Sequence, residues 1–233
     1  MPVQFLHLPT GAALFDPEEV SSSTLTELLA QGLAQSSTPL ANAAGREGVR
    51  VIKRARQPWV WRHNRRGGWC GKFVRDSYVW LGAQRTRAFQ EWRLLHHLRN
   101  LGLPVPAPVA ALYERRGIIY QSDIITGLLP NTETLSARLR SGPVPLSAWQ
   151  AVGQCIRRFH SHGIHHADLN AHNILLDSED RIYLIDFDRG AIRSPGRWIE
   201  GNWARLRRSL DKLNRALPAG RFGETEWTAL RTE

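Results

Sequence analysis

The chain has 233 residues, 42% of them hydrophobic, and a formal net charge of +10 from 31 Lys and Arg against 21 Asp and Glu. That length suits one ordinary domain or two small lobes, and no run of about 18 apolar residues stands out as a spanning helix. Met1 to Gly11 lacks the basic-then-apolar pattern of a secretory leader, and Cys70 and Cys155 cannot build a disulfide framework. A reducing compartment is therefore expected, and secreted, collagenous and disordered classes are set aside.

Asp16-Pro17-Glu18-Glu19 reads as a helix start, with an acidic cap, proline at the first position and acids in the first turn. The helix is predicted to run to about Leu33. Residues 1–44 are thus read as an N-terminal helical extension. Gln35 to Gly45, rich in Ser, Ala and Pro, is the weakly structured stretch that follows it.

From Val49 the pattern turns to short extended runs, Val49 to Arg54 and Pro58 to His63, closed by Arg65-Arg66-Gly67-Gly68. Arg85 to Arg99 reads as a helix, with Glu91 falling inside the apolar face set by Phe89, Trp92, Leu95 and Leu98. A carboxylate there requires a cation, because an unpaired buried charge is costly. Two further strands are predicted, Val109 to Tyr113 and Ile118 to Ile124, around a turn at Arg115-Arg116-Gly117.

Positive charge concentrates in this region. Between Val51 and Asn100 stand twelve Lys or Arg and only two acids, together with five of the nine tryptophans: Trp59, Trp61, Trp69, Trp80 and Trp92. Cations interleaved with tryptophan suit an anionic membrane surface or a nucleic acid backbone. A generally Arg-rich surface is the plainer alternative.

After Thr126 the chain becomes helical. Leu146 to His162 carries an apolar stripe and stops at Gly163, and Ile174-Leu175-Leu176 and Arg181 to Ile185 flank a turn. Trp198 to Leu217 then repeats apolar residues at spacings of three and four. The expected fold is α+β, with a basic, Trp-rich, strand-rich N-lobe over residues 45–126. A helical C-lobe over residues 127–233 follows it.

The densest polar cluster is His165-His166-Ala167-Asp168-Leu169-Asn170-Ala171-His172-Asn173, and Asp186-Phe187-Asp188 lies thirteen residues beyond Asn173. The apolar, turn, apolar pattern between them is a hairpin that returns Asp186 to the loop. Phosphoryl transfer from ATP needs a carboxylate for the attacking hydroxyl and a second carboxylate with an amide oxygen for Mg²⁺. Asp168 fits the first role; Asn173 and Asp186 fit the second. A metal hydrolase built on His165, His166, Asp168, His172 and Asp188 is the main competitor, and it leaves Asn173 and Asp186 without a role.

His-x-Asp, four residues, Asn, a hairpin and Asp-Phe-Asp together resemble the eukaryotic-type kinase superfamily. Two departures disfavour a regulated protein kinase: Ala167 stands where an Arg is usual, and Asp188 where a Gly is usual. The chain is more closely similar to the lipopolysaccharide kinase group and the 3-deoxy-D-manno-octulosonic acid (Kdo) kinases within it. The resembling stretches are Trp59 to Gly68, Arg85 to Glu91, Gly102 to Pro108, His166 to Asn173 and Tyr183 to Gly190.

That resemblance implies a two-lobed protein kinase-like fold using ATP and Mg²⁺, with adenine near Ile124 to Thr126. It also implies phosphorylation of the 4-hydroxyl of a Kdo sugar on a lipid A precursor, at the cytoplasmic face of an inner membrane. An anionic membrane surface is then the expected partner, and nucleic acid is not. The basic lobe and the helix from Trp198 would face the lipid.

Kinases of this type hold the phosphates with a strand lysine paired to a helix glutamate. Lys53 lies too close to Gly45 to follow two strands, and Lys72 has no strand pattern. Arg62 lies on a strand and is the expected cofactor-binding partner of Glu91; its guanidinium can clamp phosphate and carboxylate together. Gly45-Arg46-Glu47-Gly48 is a thin version of a phosphate-covering loop. Other small-molecule kinases of this fold, or a non-catalytic ATP- or nucleic acid-binding module, are the remaining alternatives.

Overall fold

The computed structural model describes residues 3–40, 49–64, 77–218 and 220–232. In chain order the elements are β1 (Gln4–Leu8), β2 (Gly11–Phe15), α1 (Ser22–Gln31), β3 (Thr38–Pro39), β4 (Val49–Ile52), β5 (Trp59–His63), β6 (Tyr78–Val79), α2 (Arg87–Asn100), β7 (Pro108–Arg116) and β8 (Ile119–Gly127). They are followed by β9 (Glu133–Thr134), α3 (Leu135–Ser141), α4 (Leu146–Ser161), β10 (Ile164–His165), β11 (Ile174–Leu176), β12 (Ile182–Leu184), β13 (Ala191–Ile192), α5 (Trp198–Asn214) and α6 (Glu224–Arg231). The class is α+β, as expected. Two compact units result: Met1–His96 with Pro106–Leu128, and His97–Val105 with Leu129–Glu233.

The first unit is built on an antiparallel sheet in the order β1-β2-β7-β8-β5-β4-β3, with β6 added alongside β8. Leu25 and Leu28 of α1 pack on Ala13, Phe15, Ala110, Leu112, Ile125 and Trp59. Residues of the opposite parity meet α2: Phe89 lies edge-on to Tyr113, and the Arg87 backbone N–H donates to the Tyr120 hydroxyl. Period-2 alternation in β7 and β8 thus supplies both faces.

Two expectations change here. Residues 4–15 form a hairpin whose second strand is paired on both sides within the sheet, so the helix is only part of the N-terminal segment. Gly11-Ala12-Ala13-Leu14-Phe15 is too short and too uniformly apolar to show a period, the mark of a strand covered on both faces. A Cβ on Gly11 would stand 1.8 Å from the Tyr113 carbonyl oxygen, so close pairing with β7 needs glycine there. The Asp16 carboxylate, in turn, accepts from the Glu18 backbone N–H at 2.9 Å and makes a turn. The helix cap is Ser21, accepting from Thr24 N–H, and the helix ends at Gly32 in a left-handed conformation.

The tryptophans of the basic segment are also not an outward-facing set. Trp59 and Trp92 are buried, Trp61 and Trp80 are half-buried, and Trp69 lies outside the described residues. Arginines stack on the rings within the unit, Arg54 over Trp59 and Arg115 over Trp80, each at 5.0 Å. Two of these tryptophans are thus engaged by arginines within the unit, a contact for which the planar guanidinium is suited.

In the second unit α4 buries Trp149, Val152, Ile156 and Phe159, the predicted stripe. It ends at Gly163, at φ 72°, where a Cβ would meet the Arg193 carbonyl oxygen at 2.5 Å. β11 and β12 form the predicted hairpin, with β9 on its outer side. α3 and α6 were not anticipated; each has fewer than ten residues, too short for a periodic signal to stand out.

The contact between α4 and α6 gives a stability prediction. A Cβ on Gly153 would lie 1.9 Å from the Leu230 carbonyl oxygen, which also accepts from Arg157 at 3.1 Å. Gly153→Ala forces backbone apart and is expected to cost about 1–3 kcal/mol despite alanine's better helix propensity. Denaturant unfolding measures it; an unchanged midpoint would mean that α6 does not pack against α4 as described.

Candidate functional site: the loop of residues 166–173 and the aspartate that follows it

Residues 166–173 connect β10 to β11 as a loop whose shape is set by its own polar side chains. Asn170 folds the chain back, its Nδ2 donating to the Asp168 carbonyl at 3.0 Å while its Oδ1 accepts from His172 N–H at 2.8 Å. Asn173 is buried, and its Nδ2 donates to the same Asp168 carbonyl at 2.9 Å. The Asp168 carboxylate itself remains exposed.

The hairpin closes on this loop as the spacing predicts. The Ile185 N–H donates to the Asn173 carbonyl at 3.1 Å, one residue before Asp186. Phe187 is fully buried, 4.6 Å from the His166 ring and stacked on Phe159 at 5.7 Å between centroids. These rings anchor Asp186, which takes a left-handed φ of 65°. Asp188 has no such φ; the other left-handed residue here is Arg189. A glycine at position 188 is therefore not required by this backbone.

His166 links the two segments. Its Nδ1 accepts from Asp168 N–H at 3.2 Å, which makes Nε2 the protonated nitrogen, donating to the Ile185 carbonyl at 3.0 Å. Burial drives its pKa below the ordinary histidine value, against the opposing pull of the Ile185 carbonyl, Asp186 and Asp168. His160 and His165 are lowered too, also mainly by burial. The neutral imidazole suits a structural bridge.

α5 holds this assembly from below. Buried Asn202 accepts from His166 N–H at 3.3 Å and donates to the His166 carbonyl at 2.9 Å. Ser209 Oγ accepts from Ala171 N–H at 3.2 Å, and Arg205 Nη1 lies 3.1 Å from Asp168 Oδ1. The sequence reading missed all three. Their spacing of three and four residues puts them on one helix face, a polar signal masked by the Trp203, Leu206 and Leu210 stripe. That stripe is buried too, so this helix does not turn its apolar face outward to lipid.

A nitrogen-ligand metal centre finds no support. Both nitrogens of His166 are engaged, His172 Nδ1 bonds to Ser136, and no group of three or more His, Cys, Asp or Glu suited to a metal occurs among the described residues. Cys155 is buried, and burial pushes its thiol to about 12, which makes it inert.

In the first unit, Arg62 on β5 reaches Glu91 on α2, with Nη2 2.5 Å from each carboxylate oxygen. The Glu91 side chain is only 2% exposed and that of Arg62 24%, so the carboxylate is deeply buried while part of the guanidinium meets solvent. Strand alternation sends Trp61 and His63 the other way, where both bond to Asp123. Lys53 is exposed beyond the end of β4. Lys72 and Gly45 to Gly48 lie outside the described residues.

The model of the lipopolysaccharide kinase (Kdo/WaaP) family matches residues 31–232. A 3-deoxy-D-manno-octulosonic acid kinase of Xanthomonas euvesicatoria is 42% identical over 206 residues, covering 87% of this chain and 81% of that one. Proteins of the same name from Xylella fastidiosa and Vibrio cholerae are 40% and 37% identical, covering 87% and 76% of this chain and 81% and 76% of their own.

The His166 bridge sets a pH dependence. A histidine with a lowered folded pKa is protonated first in the unfolded chain, so stability is full above the unfolded value of about 6.5 and falls as pH drops below it. Protonation at Nδ1 would also oppose the Asp168 N–H. Unfolding free energy is expected to decline between pH 7 and 5 by up to about 1.4 kcal/mol per pH unit per proton taken up. His166→Gln should shallow that slope in denaturant titrations; an unaltered slope would remove His166 as its source.

Proposed function

The chain belongs to the lipopolysaccharide kinase (Kdo/WaaP) family, and on that premise we propose that it transfers the γ-phosphate of ATP to the 4-hydroxyl of a Kdo sugar on a lipid A precursor. The observation that carries the reading is the closure of one loop on one hairpin: Asn173 bonded to the Asp168 carbonyl, and Ile185 bonded to Asn173 and His166.

Asp168 orients the acceptor hydroxyl and takes its proton. The acceptor oxygen bonds to the γ-phosphorus, the bond from that phosphorus to the bridging oxygen breaks, and ADP leaves. Asn173 and Asp186 are the residues that would hold Mg²⁺. Their amide and carboxylate oxygens are the hard donors it prefers, and one of each suffices beside phosphates and water. The Asn173 amide nitrogen is committed to the Asp168 carbonyl, which directs the amide oxygen to the opposite side. When bound, the ion neutralises charge building on the phosphate oxygens.

Arg62 serves the phosphates, oriented by the buried carboxylate of Glu91. Adenine is assigned to the end of β8, near Ile124 to Thr126. An arginine in this role keeps its charge at any working pH and offers several donors, enough for carboxylate and phosphate together.

An anionic membrane surface is the partner this reading implies, and an exposed apolar patch supports it. Val79 and Ile119 face each other across β6 and β8, and with Leu81 and Ile118 they are 59%, 36%, 65% and 81% exposed. Arg115 and Arg116 stand at the same hairpin tip. Apolar side chains flanked by arginines match a bilayer interface bearing anionic head groups. No helix among the described residues is long and apolar enough to cross a membrane, so contact at the surface is the mode proposed.

Two tests follow. Asp168→Ala should abolish transfer of labelled γ-phosphate from Mg-ATP to the Kdo-lipid A precursor while circular dichroism stays unchanged. Retained transfer would remove Asp168 from the mechanism. Leu81→Asp with Ile118→Asp should weaken binding to anionic-lipid vesicles about tenfold or more, since each apolar side chain contributes about 1.5–3 kcal/mol when buried. Turnover of detergent-dispersed acceptor should be unaffected. Equal vesicle binding would place the contact elsewhere.

A further inference from the structure

Arg205 has no part in the reading so far, yet it occupies the central atom of it. Its Nη1 lies 3.1 Å from Asp168 Oδ1, on the carboxylate assigned to receive the acceptor's proton. The partners are 47% and 57% exposed, so the pair is screened by water and weak. It is an ion pair that an incoming anion can exchange at little cost.

The geometry favours such an exchange. Arg205 projects from α5 between two residues that fix the loop, since Asn202 holds His166 and Ser209 holds Ala171. Its backbone is thereby set relative to Asp168, while its long side chain is about half exposed. Arg193 adds a second positive charge nearby: it and Arg205 both disfavour the charged form of His165. An acidic acceptor would therefore meet two arginines on this side of the loop, beside the carboxylates of Asp168 and Asp186.

We propose that Arg205 is a specificity residue that binds the carboxylate of the acceptor sugar, exchanging Asp168 for it as the acceptor arrives. This rests on the reading of the acceptor as Kdo, an acid by its chemistry. A guanidinium offers two parallel donors to a carboxylate, an arrangement more directional than the single contact it makes to Asp168. The exchange has a useful result. The atom that must face the acceptor hydroxyl is uncovered by the same event that seats the acceptor.

The test compares two acceptors, the Kdo-lipid A precursor and the same compound with the Kdo carboxylate converted to its methyl ester. The full-length wild type, Arg205→Gln and Arg205→Lys are assayed with Mg-ATP. Wild type should prefer the acid by about tenfold or more in kcat/KM, and Arg205→Gln should reduce that preference to about twofold or less by raising KM for the acid. KM for ATP should not move. Arg205→Lys, which keeps the charge but not the fork, should retain part of the preference.

A wild-type preference that survives in Arg205→Gln would overturn the inference while leaving the kinase reading intact. So would an equal fall in kcat on both acceptors, which would make Arg205 only a holder of Asp168. Absence of transfer to either acceptor, from wild type that binds ATP, would overturn the Kdo reading and this inference with it.

Discussion

A single buried imidazole holds the second unit's chemistry together. The His166 side chain bonds both to the loop before Asn173 and to the strand end before Asp186. Because it accepts at one nitrogen and donates at the other, it must be neutral and of one tautomer, and burial enforces the first condition. Asn202 then satisfies both backbone groups of His166 with one amide. Both ring nitrogens and both backbone groups of His166 are thus paired, which keeps exposed Asp168 in a fixed frame.

The first unit solves a different problem with a different device. Glu91 is a carboxylate inside an apolar helix face, and the Arg62 guanidinium makes that tolerable. The choice of arginine over lysine matters physically. A planar fork can remain bonded to Glu91 through one nitrogen and still present others, where an ammonium would have to share a single centre. The pair follows from strand alternation, since Trp61 and His63 point to Asp123 and leave Arg62 on the face of α2.

Much of this was legible in the sequence because the signals are local. The spacing of Asp168, Asn173 and Asp186 fixes a loop and a hairpin, and one acidic residue in the helical stripe of residues 85–99 demands a cation. What escaped was either short or long-range. The β1–β2 hairpin has no period to read, α3 and α6 have too few turns, and the Asn202, Arg205, Ser209 face shows its purpose only once the loop lies on it. The tryptophans misled for a related reason: composition records that Arg and Trp are neighbours, not whether they face solvent or each other. Asp16-Pro17-Glu18-Glu19 carried every mark of a helix start, yet Asp16 bonded to the nearer Glu18 N–H and made a turn.

The two units also differ in how far apart their interacting residues lie along the chain. The loop, the hairpin and the face of α5 that supports them come from one continuous stretch, His160 to Ser209, so their contacts close short loops. In the first unit Ala13 pairs with Leu112, about a hundred residues later, a separation that slows pairing because chain entropy is spent before the contact forms. During synthesis β2 is finished long before β7 exists, and the edge of Ala13, Leu14 and Phe15 that pairs with β7 stays open until then, although β1 already pairs the other edge. The first unit is thus the one exposed to misassembly, and its β1–β2 hairpin is the segment a chaperone would have reason to hold.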